Sequence, residues 1–208
     1  MENLWIFLTV AGVYLMAAVS PGPNFLVVVK NSIGVNRQVG LATAAAIGTG
    51  AVTYCLLSFW GLSALLASTP EVIWVIRILG GSYLVWMGYK MLRAKQRGDF
   101  SLEVEGNLPK ISLWKGYREG LLTTFSNPKA FIFFTSLFTL VIDPSTPTAL
   151  QLELIAMIGF LSWGWYSLVA VMFSQQSVQR VYLRFELLIS RFVGGFLSLL
   201  GIKVILVM

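Results

Sequence analysis

An uncharged apolar run near the start of the chain is interrupted by two prolines and a glycine. The run extends from Leu4 to Val29, long enough to cross a bilayer, which requires about 20 helical residues. Pro21 and Pro23 flank Gly22 inside it, and each proline removes a backbone donor and clashes with the preceding turn. Backbone groups freed at membrane depth are tolerated only where protein or a water-filled cavity satisfies them. The sequence therefore predicts a broken helix whose break serves a purpose.

A second break, at Asn127, Pro128 and Lys129, interrupts another apolar segment. Ser20 and Ser126 align the two breaks at a separation of 106 residues. Paired interruptions in the two halves of a membrane protein point to the binding site of a transporter. The alternative is that both are proline kinks without a ligand. The recurrence of the break, with a lysine in the second copy, favours function.

Composition places the chain in the membrane. Of its 208 residues, 57% are hydrophobic and 12% are charged, against about 25% charged residues in soluble domains. The net charge of +6 does not indicate nucleic-acid binding, because the basic residues cluster in short connections between apolar segments. The chain has no histidine and one cysteine, Cys55. It therefore lacks the commonest metal ligand and general base, and we expect no metal, no cofactor and a packing role for Cys55.

Six apolar segments predict six transmembrane helices. Their limits are Leu4–Val29, Val39–Leu66, Val72–Leu92, Leu113–Ile142, Leu150–Phe173 and Leu187 to the C-terminus. A polar stretch from Ser174 to Arg184 suits a separate surface helix. Lysine and arginine are concentrated in the connections 1–2, 3–4 and 5–6 and are absent from the other two. By the positive-inside rule, these three connections are cytoplasmic and both termini are periplasmic.

A short pattern in the third segment recurs in the sixth, displaced by 114 residues at its arginine. The pattern is an arginine, a double glycine and a Gly-x-Lys: Arg77, Gly80–Gly81 and Gly88–Lys90, then Arg191, Gly194–Gly195 and Gly201–Lys203. Because each half has an odd number of spans, the second half must be inverted. We predict one all-α integral membrane domain of two inverted three-helix repeats, 1–92 and 113–208, joined by a cytoplasmic loop, 93–112. Helices 1 and 4 are broken near the midplane.

The breaks offer chemistry for an anionic group. A half-helix N-terminus has unpaired N–H groups and a positive dipole end, which suit a carboxylate. The predicted substrate-binding residues are Ser20, Pro21, Gly22, Pro23, Asn24, Asn127, Pro128 and Lys129. Lys129 adds a full charge, whose burial in a membrane costs at least about 2.5 kcal/mol. Its alternative roles are to snorkel or to pair with a carbonyl.

Glu119 is the acid closest to a break, about two turns before Asn127. It is the candidate for proton coupling, with a position at the cytoplasmic mouth or a pair with Lys115 as alternatives. No predicted span has an acid deep in its centre. This argues against a relay of buried carboxylates.

Two motifs carry a resemblance to a known family: Ser20-Pro21-Gly22-Pro23-Asn24-Phe25 and Asn127-Pro128-Lys129-Ala130. Together with the glycine-rich second span and Gly81-Ser82-Tyr83-Leu84, they make the whole chain similar to the lysine exporter superfamily. The likeness is to its branch of homoserine, threonine and neutral amino-acid exporters. The resemblance implies a bacterial inner-membrane antiporter that exports amino acids with the proton gradient. Thr49-Gly50-Ala51-Val52 lacks the acid expected of some cation-exporting members, which favours a neutral substrate.

The preferred mechanism is alternating access around a site formed by both breaks. The alternatives are a channel, an exporter of another small solute, a membrane-embedded enzyme and a structural protein. No catalytic set is visible, so we expect no enzyme. The expected partners are an amino acid, the proton gradient and the lipid bilayer, and no nucleic acid; a homo-oligomer stays open.

Overall fold

The computed structural model describes residues 2–68, 72–94, 112–141 and 146–206, and these form eight helices and no strand. The helices are α1 (Glu2–Val19), α2 (Pro23–Gly34), α3 (Arg37–Ser68), α4 (Val72–Leu92), α5 (Leu113–Phe125), α6 (Pro128–Val141), α7 (Thr148–Phe173) and α8 (Gln176–Leu206). The all-α prediction is confirmed. Most of the predicted 93–112 loop and the central residues of the turns near positions 70 and 144 lie outside the described residues.

Both predicted breaks are confirmed. α1 and α2 meet at an angle of 58° across Ser20–Gly22, and Pro23 is the first residue of α2. α5 ends at Phe125, and Pro128 is the first residue of α6. Proline suits the first position of a helix because its missing N–H has no intrahelical partner there and its φ is already helical. The prolines therefore start the second half of each broken helix.

The polar stretch from Ser174 to Arg184, predicted as a surface helix, is helical from Gln176 onward. It is continuous with the last apolar segment, so that α8 runs without interruption to Leu206. The reason is local: no proline or glycine occurs between Gln176 and Val193, so nothing ends the helix before the apolar part begins.

Three of the described helices contain a stretch long and apolar enough to cross a membrane, and the bent pair α1–α2 makes a fourth. The three stretches are Arg37–Gly61, Thr148–Phe173 and Arg184–Leu206. The chain is therefore an all-helical protein with several spans. The count of six, the inverted repeat and the orientation of the termini stay predictions.

Two long helix pairs, α4 with α8 and α3 with α7, organise the packing. α4 and α8 touch through glycines: a Cβ on Gly88 would meet the carbonyl oxygen of Gly194, and a Cβ on Gly194 that of Gly88. Gly81 and Gly201 show the same reciprocal contact. Small residues let helix backbones approach this closely in lipid. These glycines allow the backbones of α4 and α8 to touch.

The contacts between α3 and α7 are also reciprocal. A Cβ on Gly48 would meet Trp163, and a Cβ on Gly159 would meet Val52. Residues 48 and 52 are each 111 positions before their counterparts 159 and 163. The prediction for Cys55, which lies on α3, is confirmed: it is fully buried in the hydrophobic core.

Candidate substrate site at the two helix breaks

The two breaks meet inside the helix bundle. Asn127 donates a hydrogen bond from Nδ2 to Oδ1 of Asn24, over 3.1 Å, and both side chains are buried. The residues are 103 positions apart, so the contact joins the two halves of the chain. Sequence alignment of the breaks predicted two similar elements, and the structure brings them into direct contact.

A cavity of about 50 Å³ lies between the breaks, which is room for a few water molecules. Its polar lining comprises Tyr14, Ser20, Asn24, Thr124, Asn127, Lys129 and Tyr166. The remaining wall is aliphatic or aromatic, from residues such as Ile47, Phe133 and Phe134. Among the described residues that line the cavity, Lys129 is the one with a charged side chain. The site is thus small, largely apolar and supplied with one positive charge.

The start of α2 has no side-chain cap. Its N-cap residue is Gly22, and no side chain caps the helix. Pro23 has no N–H, and the first helical hydrogen bond runs from the N–H of Leu26 to the carbonyl of Gly22, over 2.9 Å. The backbone N–H groups of Asn24 and Phe25 therefore precede the hydrogen-bond ladder of the helix. They give this end of α2 a partial positive charge.

The end of α1 is bound by donors from the second half of the chain. Lys129 Nζ donates to the carbonyl oxygen of Ala17 over 3.1 Å, and Trp165 Nε1 donates to that of Ala18 over 3.2 Å. A Cβ on Gly22 would lie 3.5 Å from the same Nζ atom. The Lys129 ammonium therefore stands between the end of α1 and the start of α2.

The second break satisfies its own backbone. Asn127 caps α6: its Oδ1 accepts from the N–H of Lys129 over 3.0 Å, and its carbonyl accepts from the N–H of Ala130 over 3.1 Å. Tyr54 donates its hydroxyl to the carbonyls of Thr124 and Phe125 at the end of α5, both over 3.3 Å. No charged side chain takes part in these contacts.

Five of the eight predicted substrate-binding residues line the cavity: Ser20, Gly22, Asn24, Asn127 and Lys129. The other three, Pro21, Pro23 and Pro128, are not part of its wall and act by shaping the breaks. Their roles in binding stay predictions.

The serine and phenylalanine pairs that align the breaks differ in environment. Ser20 is buried and donates its hydroxyl to Met91 Sδ over 3.3 Å, whereas Ser126 is exposed. Phe25 is buried and Phe131 is exposed. The sequence match therefore locates both breaks correctly without predicting which side chains face the cavity.

Glu119 does not pair with Lys115. It accepts hydrogen bonds from Lys30 Nζ over 2.5 Å and from Asn31 Nδ2 over 3.3 Å. Asn31 also donates to Thr43 over 2.9 Å. These contacts tie α5 to α2 and α3, on the side of the breaks that faces the predicted cytoplasmic connections. The prediction missed Lys30 because its partner lies 89 residues away in the chain.

Sequence reasoning missed several residues. Tyr14 and Tyr166 line the cavity from α1 and α7, which are apolar around their whole circumference, so no periodicity showed which face points inward. A buried acid was also overlooked: Glu186 is 6% exposed, and its Oε2 has no hydrogen-bond partner in the described structure. It was placed outside the last span because α8 was predicted to begin later.

The fold and the paired breaks define an all-helical, multi-pass membrane protein with a small site inside the bundle. A family model described as LysE type translocator matches residues 15–207. The chain belongs to this family.

Curated relatives cover most of the chain. The threonine efflux protein of Escherichia coli (strain K12) is 32% identical over 206 residues, 98% of each chain. The uncharacterized membrane protein YahN of the same strain is 31% identical over 201 residues, 96% of this chain and 88% of its own. The leucine efflux protein of Enterobacter sp. (strain 638) is 34% identical over 143 residues, 69% of this chain and 65% of its own. No solved structure matches the chain.

Proposed function

We propose that this protein exports a neutral amino acid across the bacterial inner membrane and binds it at the two helix breaks. The observation that carries the proposal is the uncapped start of α2, which lies beside the Lys129 ammonium at a cavity inside the bundle. The names of the relatives, threonine and leucine efflux proteins, support an amino acid as the substrate.

The α-carboxylate binds at the start of α2. The N–H groups of Asn24 and Phe25 donate to its oxygens, and Lys129 supplies the positive charge. Hydrogen bonds to an ionised group are about twice as strong as those between neutral groups. A carboxylate therefore gains more from this position than a neutral ligand does.

A neutral side chain suits the rest of the site. Apart from the polar groups at the breaks, the wall consists of groups such as Ile47, Phe133 and Phe134, and no acid is among the described lining residues. A cationic side chain would enter without a counter-charge, which is costly in an apolar surrounding. Leucine-like or threonine-like side chains avoid this cost.

Transport requires the bundle to move. The cavity of about 50 Å³ holds a few water molecules, so an amino acid needs a wider state. The ion pair between Lys30 and Glu119 closes α2 against α5 on one side of the breaks. In the proposed cycle of alternating access, this pair separates when the site opens to the cytoplasm. It forms again when the site opens to the other side.

An inverted repeat supplies the two equivalent states. It is supported by contacts that recur with the halves exchanged: Tyr54 binds carbonyls at the end of α5, and Trp165, 111 positions later, binds a carbonyl at the end of α1. The glycine contacts of α4 with α8 recur in the same way. Gly81 and Gly88 correspond to Gly194 and Gly201, which lie 113 positions later, one less than the 114 positions between the matched arginines. Exchange of such contacts between halves is the basis of alternating access in repeat transporters.

Coupling to the proton gradient needs a protonatable carrier. Glu119 is the carrier proposed from the sequence, and its charge is matched by Lys30 in this state. Glu186 is the second acid with a suitable position, because it is buried on α8. The two acids are distinguished by replacing each with glutamine and measuring two activities: efflux driven by a pH gradient, and exchange at equal pH. The variant that lacks the proton carrier loses the pH-driven efflux and keeps the exchange.

Counterflow in proteoliposomes tests the proposed function. Vesicles containing the purified protein are loaded with unlabelled threonine, leucine, lysine or glutamate, and uptake of the labelled form is measured. We expect saturable exchange of threonine or leucine and none of lysine. Exchange that does not saturate would favour a channel. Absence of exchange of every amino acid in correctly inserted protein would contradict the proposal.

A further inference from the structure

The end of α1 holds an ammonium group in this structure, and that group belongs to the protein. Lys129 Nζ binds the carbonyl oxygen of Ala17 at the edge of the cavity. The last carbonyls of a helix have no intrahelical partner and carry a partial negative charge, so a cation is favourable there. The neighbouring carbonyl, that of Ala18, is bound by the neutral indole of Trp165.

We infer that the Ala17 carbonyl is the subsite for the α-ammonium group of the substrate and that Lys129 occupies it while the site is empty. The inference rests on the proposed function. On binding, the substrate ammonium takes the Ala17 carbonyl, and Lys129 turns to the α-carboxylate at the start of α2. Each end of the zwitterion then meets a helix end of opposite partial charge. The ammonium binds at the carbonyl end of α1, and the carboxylate binds at the N–H end of α2.

The geometry requires only a short movement of Lys129. Its Nζ atom already lies next to Gly22, the N-cap residue of α2, while it binds Ala17. A carboxylate held by the N–H groups of Asn24 and Phe25 would therefore lie close to the present position of the ammonium. Once the cavity has widened to admit the amino acid, rotation of the lysine side chain is enough to move its ammonium from the Ala17 carbonyl to the carboxylate.

Aromatic side chains form part of the same cavity: Tyr14, Phe133, Phe134 and Tyr166 all line it. Aromatic rings attract an ammonium group that lies over their face within about 6 Å of the centroid. A lining of this composition is compatible with a site in which one ammonium replaces another.

The inference is tested by binding measurements with ligands that lack one end of the zwitterion. For leucine, the analogues are 2-hydroxy-4-methylpentanoate, without the ammonium, and 3-methylbutylamine, without the carboxylate. For threonine they are 2,3-dihydroxybutanoate and 1-amino-2-propanol. Affinities are measured by calorimetry for the wild type, Lys129→Met and Lys129→Gln. Lys203→Met, an exposed lysine of α8, is the matched control.

In the wild type, we expect the amino acid to bind at least about tenfold more tightly than its hydroxy analogue, because the hydroxyl brings no charge to Ala17. In Lys129→Met, we expect the amine to bind about tenfold more tightly than in the wild type, because the competing ammonium is gone. Lys129→Gln, which keeps a polar N–H donor but removes the charge, shows the same direction if the methionine variant does not fold. Lys203→Met leaves all affinities unchanged.

Two outcomes would overturn the inference while leaving the proposed function intact. The first is a wild type that exchanges the amino acid in counterflow and binds the hydroxy analogue equally well. The second is amine binding that is unchanged or weaker in both Lys129 variants. A wild type that exchanges neither threonine nor leucine would instead overturn the proposed function, and this inference with it.

Discussion

The two helix breaks have similar sequences, but the helix ends at the two breaks are capped differently. At the first, Gly22 leaves the start of α2 uncapped, and a lysine from the other half binds the end of α1. At the second, Asn127 caps α6, and the hydroxyl of Tyr54 binds the end of α5. The N–H groups at the start of α2 therefore lie at the cavity without a side-chain cap. At the second break, side chains of the protein bind both the start of α6 and the end of α5.

The difference lies in the residues at the N-cap. Glycine contributes no side chain, so the N–H groups of α2 are available to a ligand. Asparagine supplies an acceptor that would otherwise come from a ligand. In the proposed function, the first break binds the substrate, and the second break holds the first in position through the Asn127–Asn24 hydrogen bond.

Removing the charge at the first break should have the largest effect. We expect Lys129→Met to lower transport by at least about 100-fold, corresponding to about 2.7 kcal/mol, because a charge-assisted contact to the carboxylate is lost. Initial rates of counterflow in proteoliposomes measure it, with Lys203→Met as the control. A Lys129→Met protein that is correctly inserted and transports at near-normal rates would remove Lys129 from the binding site.

Giving the first break a cap should make it resemble the second. In Gly22→Ser, the hydroxyl can accept from the N–H groups of α2 and compete with the carboxylate. Because Gly22 has an extended backbone, with φ −148° and ψ −178°, serine fits without strain. We expect the free energy of unfolding to rise by only a few tenths of a kcal/mol, on the order of 0.3 kcal/mol, and the substrate affinity to fall about tenfold.

Thermal unfolding in detergent and saturation kinetics of counterflow measure the two effects of Gly22→Ser. Gly61→Ser is a suitable control, since a Cβ at Gly61 meets nothing within 4 Å. If the affinity for the amino acid is unchanged in Gly22→Ser, the carboxylate does not bind at the start of α2.

Removing the cap from the second break should affect stability more than binding. Asn127→Ala loses the cap of α6 and leaves the buried Oδ1 of Asn24 without its donor, so we expect a loss of about 1–3 kcal/mol in the free energy of unfolding. Asn36→Ala removes an exposed cap, at the start of α3, and should cost about 1 kcal/mol. Equal losses in thermal unfolding for the two variants would mean that the Asn127–Asn24 contact contributes nothing.

The smallest effect is expected at the end of α5. Tyr54→Phe removes one hydroxyl shared by two carbonyls over 3.3 Å, and we expect a loss of about 0.5–1.5 kcal/mol with transport retained. Thermal unfolding and counterflow on the same preparation measure both. Loss of transport in a stable Tyr54→Phe protein would show that the second break takes part in the cycle beyond its structural role.

The sequence predicted the positions of the breaks because proline has a strong local effect on the backbone. It did not predict the extent of α8, where the apolar part and the polar part of one helix were separated by composition alone. Nor did it predict the partner of Glu119, because Lys30 lies on another broken helix and only the packing brings the two together. The positions of the breaks could therefore be predicted from the sequence, and the contacts between residues distant in the chain could not.

The inward faces of the long helices were equally hidden. In α1 and α7 most positions are apolar, since lipid and protein interior both accept such side chains. The contrast between a wet and a dry face, which orients a helix in a soluble protein, is missing. Tyr14 and Tyr166 could be recognised as lining residues only after the helices were packed.

The glycine contacts between α4 and α8 determine which positions of these two helices can accept a larger side chain. Where the two backbones touch, a side chain at Gly81, Gly88, Gly194 or Gly201 would collide with the carbonyl oxygen of the facing glycine. The outward positions of the same helices, such as Leu79 and Leu199, are exposed and need only be compatible with lipid. Substitutions at the lipid-facing positions therefore leave the contact between α4 and α8 unchanged, whereas a single methyl group at one of the four glycines would push the two helices apart.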